Sequence, residues 1–310
     1  MSLQQVEEYG GMEDSVRLKE MKQVVQQINA VNALGTGLLW TVATLIALLF
    51  VGIIVYLIVQ GAAYLFNPEF YGTSSLGVGA EIFNTFYILI FAEAISLPIA
   101  LAAAIYLIEY ARQGLLVSII HFAAETLASI PTIVLGLFGV LIFVISFHLG
   151  TSRIAGALTL LCLNLPLALR LFEDALSSVP REIREGGLAL GSTKWHTIRT
   201  LVIPSALPGI VTAVILTSGK IIGETAALLF TMGLNNPPNT FTLDPSIASD
   251  TLTTHLYNVA GPGSGSLGLT VHQETIVTAG SATLLVLLLL IINILARTIG
   301  RFIQRSVTAA

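Results

Sequence analysis

The sequence predicts an all-α, polytopic membrane protein of about six transmembrane helices, and three observations carry that prediction. Hydrophobic residues make up 55% of the 310 residues and charged residues only 10%, against about 25% charged in an ordinary soluble domain. The apolar residues are gathered into runs long enough to cross a bilayer, where about 20 residues of helix span a hydrocarbon core of about 30 Å. The lysines and arginines are confined almost entirely to alternate connections between those runs. The same composition excludes a disordered chain. A net charge of -4 leaves no basic footprint for nucleic acid, and Cys162, the single cysteine, excludes an internal disulfide or a CxxC metal site.

Taken in order, the first span is expected from Gly37 to Val59 and the second from Phe83 to Leu107, with Pro98 inside it. The third lies in an apolar region from Leu115 to Phe147 that is too long for one upright helix. Pro131 divides it, because proline removes a backbone donor and clashes with the preceding turn. The reading is a helix from Leu115 to Ala128 at or entering the interface, then a span from Thr132. The remaining spans are expected at Ala155–Leu171, Leu207–Met232 and Thr278–Leu295.

Placing both termini inside puts 12 of the 14 basic residues on the cytoplasmic side; only Arg153 and Lys220 fall elsewhere. Stretches 60–82 and 233–277 carry acidic residues but no lysine or arginine, and are expected to be external. The expected organisation is a cytoplasmic tail over 1–36, the first span with its external loop over 37–82, a core over 83–299 and a cytoplasmic tail over 300–310. The tail at the start is polar and mixed in charge, a helix or solvated arm rather than a cleaved secretory signal. The runs Asn235–Asn239 and Gly261–Gly265, rich in Pro, Gly and Asn, read as loops.

Between spans four and five the composition changes. Residues 173–204 read EDALSSVPREIREGGLALGSTKWHTIRTLVIP, dense in charge. Pro180 suits the first turn of a helix, Gly191 suits a left-handed stop, Ser192 is the expected cap of a second helix, and Pro204 its expected end. Helix, glycine, helix, proline describes a folded elbow that can dock on a cytoplasmic partner and move the spans as rigid bodies.

Glu185, Gly191, Leu201, Ile203 and Pro204 have the spacing of the cytoplasmic signature loop in permeases of binding-protein-dependent ABC importers, which the chain resembles. Gly186 and Gly187 stand where that signature has alanines. A further run, Gly223-Glu224-Thr225-Ala226-Ala227-Leu228 with Lys220 four residues before the glutamate, resembles phosphate importer permeases of the PstA type, in which the basic residue is usually arginine. The resemblance continues through 83–111, 125–140 and TLTTHLYN at 251–258, and covers most of 83–300. It implies the type I ABC importer permease fold and a plasma or inner membrane location. The implied partners are a second, related permease, two copies of a cytoplasmic ABC ATPase and an extracytoplasmic phosphate-binding protein.

No catalytic group is expected in this chain. The only Gly-Lys pair, Gly219-Lys220, is followed by Ile221 and does not make a P-loop, so ATP and Mg belong to the partner ATPase and no cofactor is expected here. Lys220 and Glu224 are the candidate translocation residues. An ionisable group at mid-membrane costs about 2.5–3.5 kcal/mol on insertion scales and is a functional candidate by default. Helical spacing would put the two on one face, paired either for transport or as a structural salt bridge. Glu93 and Glu125 would repel an anion if ionised on its path, and are read as protonated or helix-facing. Asn164, Thr217 and Ser218 could contact a hydrated anion or simply bond within the helices. His121 and Glu125 have metal-ligand spacing but no third ligand, and no metal site is expected. Another oxyanion, molybdate or sulfate, is the alternative cargo.

Overall fold

The structure, a computed structural model, describes residues 3–72, 77–112, 114–234, 241–261 and 270–308, with side chains described at residue 25 and within 27–301. Of the two loop-forming runs, only Gly261 lies among the described residues. All the described elements are helical. The chain divides into two compact units, residues 1–57 and 58–310.

The first unit is the greater part of α1 (Leu3–Leu65), one continuous helix that runs through the expected boundary at 36/37. Its candidate span is Gln27–Leu65, and no described side chain up to residue 57 is buried. A helix apolar all round is suited to lipid contact.

The second unit begins with the end of α1 and a 3₁₀ turn at Pro68–Tyr71. Then come α2 (Gly79–Ile105), prolonged by a π turn at Tyr106–Tyr110, and α3 (Leu115–Ser129). After Pro131 the chain turns by 101° into α4 (Thr132–Gly139) and a π turn at Val140–Ser146, as the proline predicts. The next helices are α5 (Arg153–Ser177), α6 (Arg181–Ala189), α7 (Lys194–Thr197), α8 (Ile203–Gly223) and α9 (Ala226–Thr231). The unit closes with α10 (Leu252–Ala260) and α11 (Val271–Thr308). Among the described residues, five helices are long and apolar enough to cross a membrane, or six with the bent α3–α4 pair counted as one span.

Three local expectations are corrected. The fifth span is not one helix over Leu207–Met232: α8 stops at Gly223, Glu224 is extended (φ -73°, ψ 125°), and α9 starts after Thr225. The freed groups find partners, since the Glu224 carboxylate accepts from the Ala227 N–H at 3.2 Å and its carbonyl from the Thr253 hydroxyl at 3.1 Å. Pro204 does not end the second elbow helix. A π turn at Ile198–Val202 carries α7 into α8, and the proline sits in the first turn of α8, where its missing N–H matters least. Thr193, not Ser192, caps α7, accepting from the His196 N–H at 3.3 Å.

α5 lies at the centre, packed against α2, α4, α8 and α9, while α11 packs on α8 and α10. One buried cluster joins Ala100, Ala104, Ala168, Phe172, Val202 and Ala206 towards the elbow end. Another joins Ile88, Ala92, Leu160, Ile221, Leu228 and Met232 nearer the other end. Small residues let helices approach where no hydrophobic force between them operates. A Cβ on Gly136 would stand 2.8 Å from the Ala227 Cα, and one on Gly139 2.3 Å from the Thr159 hydroxyl.

Candidate functional site

Lys220 and Glu224 come near each other, but not as a helical pair. Because α8 ends between them, the ammonium donates to the Leu163 carbonyl on α5 at 3.3 Å, while the Glu224 carboxylate turns to the start of α9. They form no ion pair within 4 Å, which corrects the pairing expected from spacing. Lys220 is half-buried and Glu224 buried.

Next to Leu163, Asn164 is fully buried, and neither its amide nitrogen nor its carbonyl oxygen has a hydrogen-bond partner among the described residues. Its position on α5 follows Leu160 by one turn, as Ser96 on α2 follows Ala92; Ser96 is equally buried and its hydroxyl equally unpartnered. Glu93 is buried and accepts from the hydroxyls of Thr217 and Ser218, both at 3.0 Å, which fastens α2 to α8. Glu93 and Ser218 also line an open groove of about 430 Å³ with Leu89, Ile90, Ala94, Leu97 and Pro98. Glu125 is exposed. His121 bonds Glu173 at 3.0 Å rather than Glu125, so the spacing that suggested a metal pair serves a contact between α3 and α5.

The first helix of the elbow starts and stops where its sequence suggests. Pro180 stands at the N-cap of α6, Leu190 at its C-cap, and Gly191 follows with φ +82°, in the left-handed region. Glu185 is exposed. Leu188, Leu190 and Trp195 offer an exposed apolar face, 48%, 91% and 55% accessible. Leu201 leans over Gly187, while Ile203 and Pro204 open α8. Sequence reasoning missed what holds the elbow. The Arg184 guanidinium donates to Glu109 at 2.8 Å and to the carbonyls of Leu176 and Val179 at 2.7 and 2.5 Å. Lys194 donates to the Glu109 carbonyl and lies 4.9 Å from the centre of the Tyr110 ring.

At the other end of the bundle, a polar network was also missed. Arg153, fully buried at the start of α5, donates to the Ser249 hydroxyl at 3.0 Å, to Asn84 and to the carbonyls of Thr242 and Asp244. Its guanidinium lies over the Tyr87 ring at 4.9 Å. Asn84 in turn donates to the Asp250 carbonyl at 3.0 Å. Beside it, His255 Nδ1 lies 3.1 Å from Asp250 Oδ2 and 3.8 Å from Glu81 Oε1. Burial pulls the imidazole pKa down, but the Asp250 hydrogen bond and the two carboxylate charges outweigh it and leave it raised. The available signal was Arg153 itself, an arginine outside the basic connections.

Residues 94–309 match the family described as the binding-protein-dependent transport system inner membrane component. The chain belongs to this family. A relative from Bacillus subtilis, described as a probable ABC transporter permease protein YqgI, is 38% identical over 89% of this chain and 97% of its own length. The phosphate transport system permease protein PstA of Yersinia pestis is 33% identical over 73% of each chain, and PstA 1 of Mycobacterium tuberculosis 36% identical over 51% of each chain. Among solved structures, the methionine ABC transporter MetNI in an inward-facing conformation shares the fold, with a TM-score of 0.55 and 22% identity over 73% of this chain and 94% of that one. A bacterial ABC transporter for the polysaccharide alginate aligns with a TM-score of 0.54 and 15% identity, over 74% and 82% of the two chains. The chain is thus a membrane-embedded permease subunit of the ABC importer type, and not itself a catalytic enzyme.

Proposed function

We propose that this permease is the membrane subunit of an ATP-driven phosphate importer, with Lys220 and Glu224 on the translocation path and the elbow at 180–204 as its coupling to an ATPase. One observation carries the cargo assignment. Lys220, a cation in mid-bundle, donates to a backbone carbonyl and makes no ion pair within 4 Å among the described residues, so its charge is open to an anion. The relatives named PstA support the same reading.

Phosphate carries one to two negative charges near neutral pH, since its second pKa is about 6. A single ammonium lowers the cost of desolvating it, and Glu224 nearby keeps the site from becoming a trap; passage requires binding weak enough for release. Lys220 alternates between the Leu163 carbonyl and the passing anion as the spans rearrange. The partners are a related permease, two copies of an ABC ATPase that holds ATP and Mg, and an external phosphate-binding protein. Both termini face the cytoplasm, in keeping with the distribution of lysine and arginine.

The test is uptake of labelled phosphate in cells lacking the chain and in cells given it back, with other phosphate importers inactive. Wild type restores uptake; Lys220→Gln lowers it at least about tenfold, the loss of one cation–anion contact of about 1.4 kcal/mol or more, at an unchanged level in the membrane. Unchanged phosphate uptake in the deleted cells removes phosphate as cargo and turns the same assay to molybdate and sulfate. Loss of the Lys220→Gln protein from the membrane makes the lysine a structural residue.

A further inference from the structure

The run TLTTHLYN at 251–258 builds the start of α10, and its first four residues all make definite contacts. Thr251 and Thr254 close a capping box, each side chain accepting from the other's backbone N–H. Leu252 is fully buried in a cluster with Ile222, in the last turn of α8, and its N–H donates to the Thr85 hydroxyl of α2 at 3.0 Å. Just before them, the Asp250 carbonyl accepts from Asn84, which Arg153 holds. The start of α10 is thereby fixed both to α2 and to the end of α8. Thr253 reaches the break in the span: its buried hydroxyl, 3.0 Å from that of Thr251, donates to the Glu224 carbonyl at 3.1 Å.

The break depends on that donor. Gly223-Glu224-Thr225-Ala226-Ala227-Leu228 contains no proline, and alanine and leucine are among the best helix formers. A helix continued through this run would bond the Leu228 N–H to the Glu224 carbonyl and set Glu224 one turn from Lys220, where opposite charges pair. Local groups serve the neighbouring carbonyls: the Glu224 N–H donates to Ile221 at 3.2 Å and the Thr225 hydroxyl to Gly223 at 3.4 Å. For the Glu224 carbonyl, Thr253 replaces the helical donor, in a place where an unpaired backbone group is costly. The consequence falls on the two charges. The Glu224 carboxylate caps α9 through the Ala227 N–H, and the Lys220 ammonium keeps to the Leu163 carbonyl.

We propose that Thr253 is a positioning residue of the anion path: its hydroxyl keeps the span broken at Glu224, and so keeps the Glu224 carboxylate off Lys220. This role rests on Lys220 lying on the path, as proposed above, which a Lys220→Gln arm checks separately.

The test is the maximal rate of labelled phosphate uptake, per permease in the membrane, in cells with no other phosphate importer active. Thr253→Val keeps the shape and removes the hydroxyl; it is expected to lower the rate at least about fivefold, the effect of one buried acceptor left unpaired. Thr253→Ser keeps the donor and is expected to stay within about twofold of wild type. The decisive arm is Glu224→Gln, alone and combined with Thr253→Val. Without the carboxylate there is no charge to bring onto Lys220, so Thr253→Val is expected to add less than about a twofold loss in that background. An equal loss in both backgrounds makes the threonine merely structural and overturns the proposal. So does a wild-type rate for Thr253→Val, or a Thr253→Ser as impaired as Thr253→Val. With Lys220→Gln impaired, these outcomes leave the path itself standing; a wild-type rate for Lys220→Gln removes both. If Thr253→Val fails to reach the membrane, Thr253→Ala takes its place, and loss of both makes the hydroxyl a requirement of folding, which also overturns the proposal.

Discussion

At the scale of single residues, Asn164 sets stability against transport most directly. A buried amide without partners carries its full desolvation cost, about 1–3 kcal/mol, and an apolar side chain of similar shape removes that cost. Such a residue persists when its polar atoms are needed for something that passes. Asn164 follows Leu163, whose carbonyl holds Lys220, so its amide is close to the cation assigned to the path. Asn164→Leu is therefore expected to keep or raise the Tm of the purified permease while lowering phosphate uptake at least about tenfold, a factor equivalent to about 1.4 kcal/mol. A variant that is both more stable and fully active would remove Asn164 from the path. Residue types alone marked Lys220, Glu224 and Asn164 as polar groups at membrane depth, because hydropathy makes such groups conspicuous. Their partners were not legible: that Lys220 turns to Leu163 and His121 to Glu173 depends on which helix faces which, and no local spacing encodes it.

At the scale of elements, α6 shows how a substitution of the same kind diverges by context. A Cβ on Gly186 meets nothing within 4 Å, whereas one on Gly187 would lie 2.8 Å from both Leu201 Cδ1 and Thr197 Cγ2. In a helix interior, alanine is favoured over glycine by about 0.5–1 kcal/mol. Gly186→Ala is expected to raise thermal stability by that order, and Gly187→Ala to lose the gain because Leu201 and Thr197 must shift; paired melting curves in detergent check both. Equal stabilisation by the two would mean that α6 does not rest on Leu201. The elbow and the Pro131 bend were legible because proline and glycine act through their own backbone chemistry. The break after Gly223 was not. Apolar residues run on through Ala226–Met232 with no proline, and the extended Glu224 is satisfied by Thr253, which arrives from 29 residues downstream.

At the scale of the whole molecule, the question is how motion of a cytoplasmic partner could reach the groups at mid-bundle. In the coupling proposed above, Arg184 is the joint. It ties α6 to Glu109 at the end of α2, to the Leu176 carbonyl in the last turn of α5 and to the Val179 carbonyl just beyond it. Both helices lead to the middle of the bundle, α2 to Glu93 and its bonds with Thr217 and Ser218, and α5 to Leu163 beside Lys220. A rigid elbow without this joint would still present Glu185, Leu190 and Trp195 to a partner, but would pull on the spans only through the chain itself. Arg184→Met keeps the length of the side chain and removes the charge and its donors. In proteoliposomes with the partner permease, ATPase and phosphate-loaded binding protein, it is expected to retain assembly and ATP hydrolysis while phosphate moved per ATP hydrolysed falls at least about tenfold, since several charge-assisted bonds of about 1.5–3 kcal/mol each are lost. Parallel loss of hydrolysis and transport would instead make Arg184 a residue of assembly, and an unchanged ratio would place the transmission of force elsewhere, in the π turn that carries α7 directly into α8.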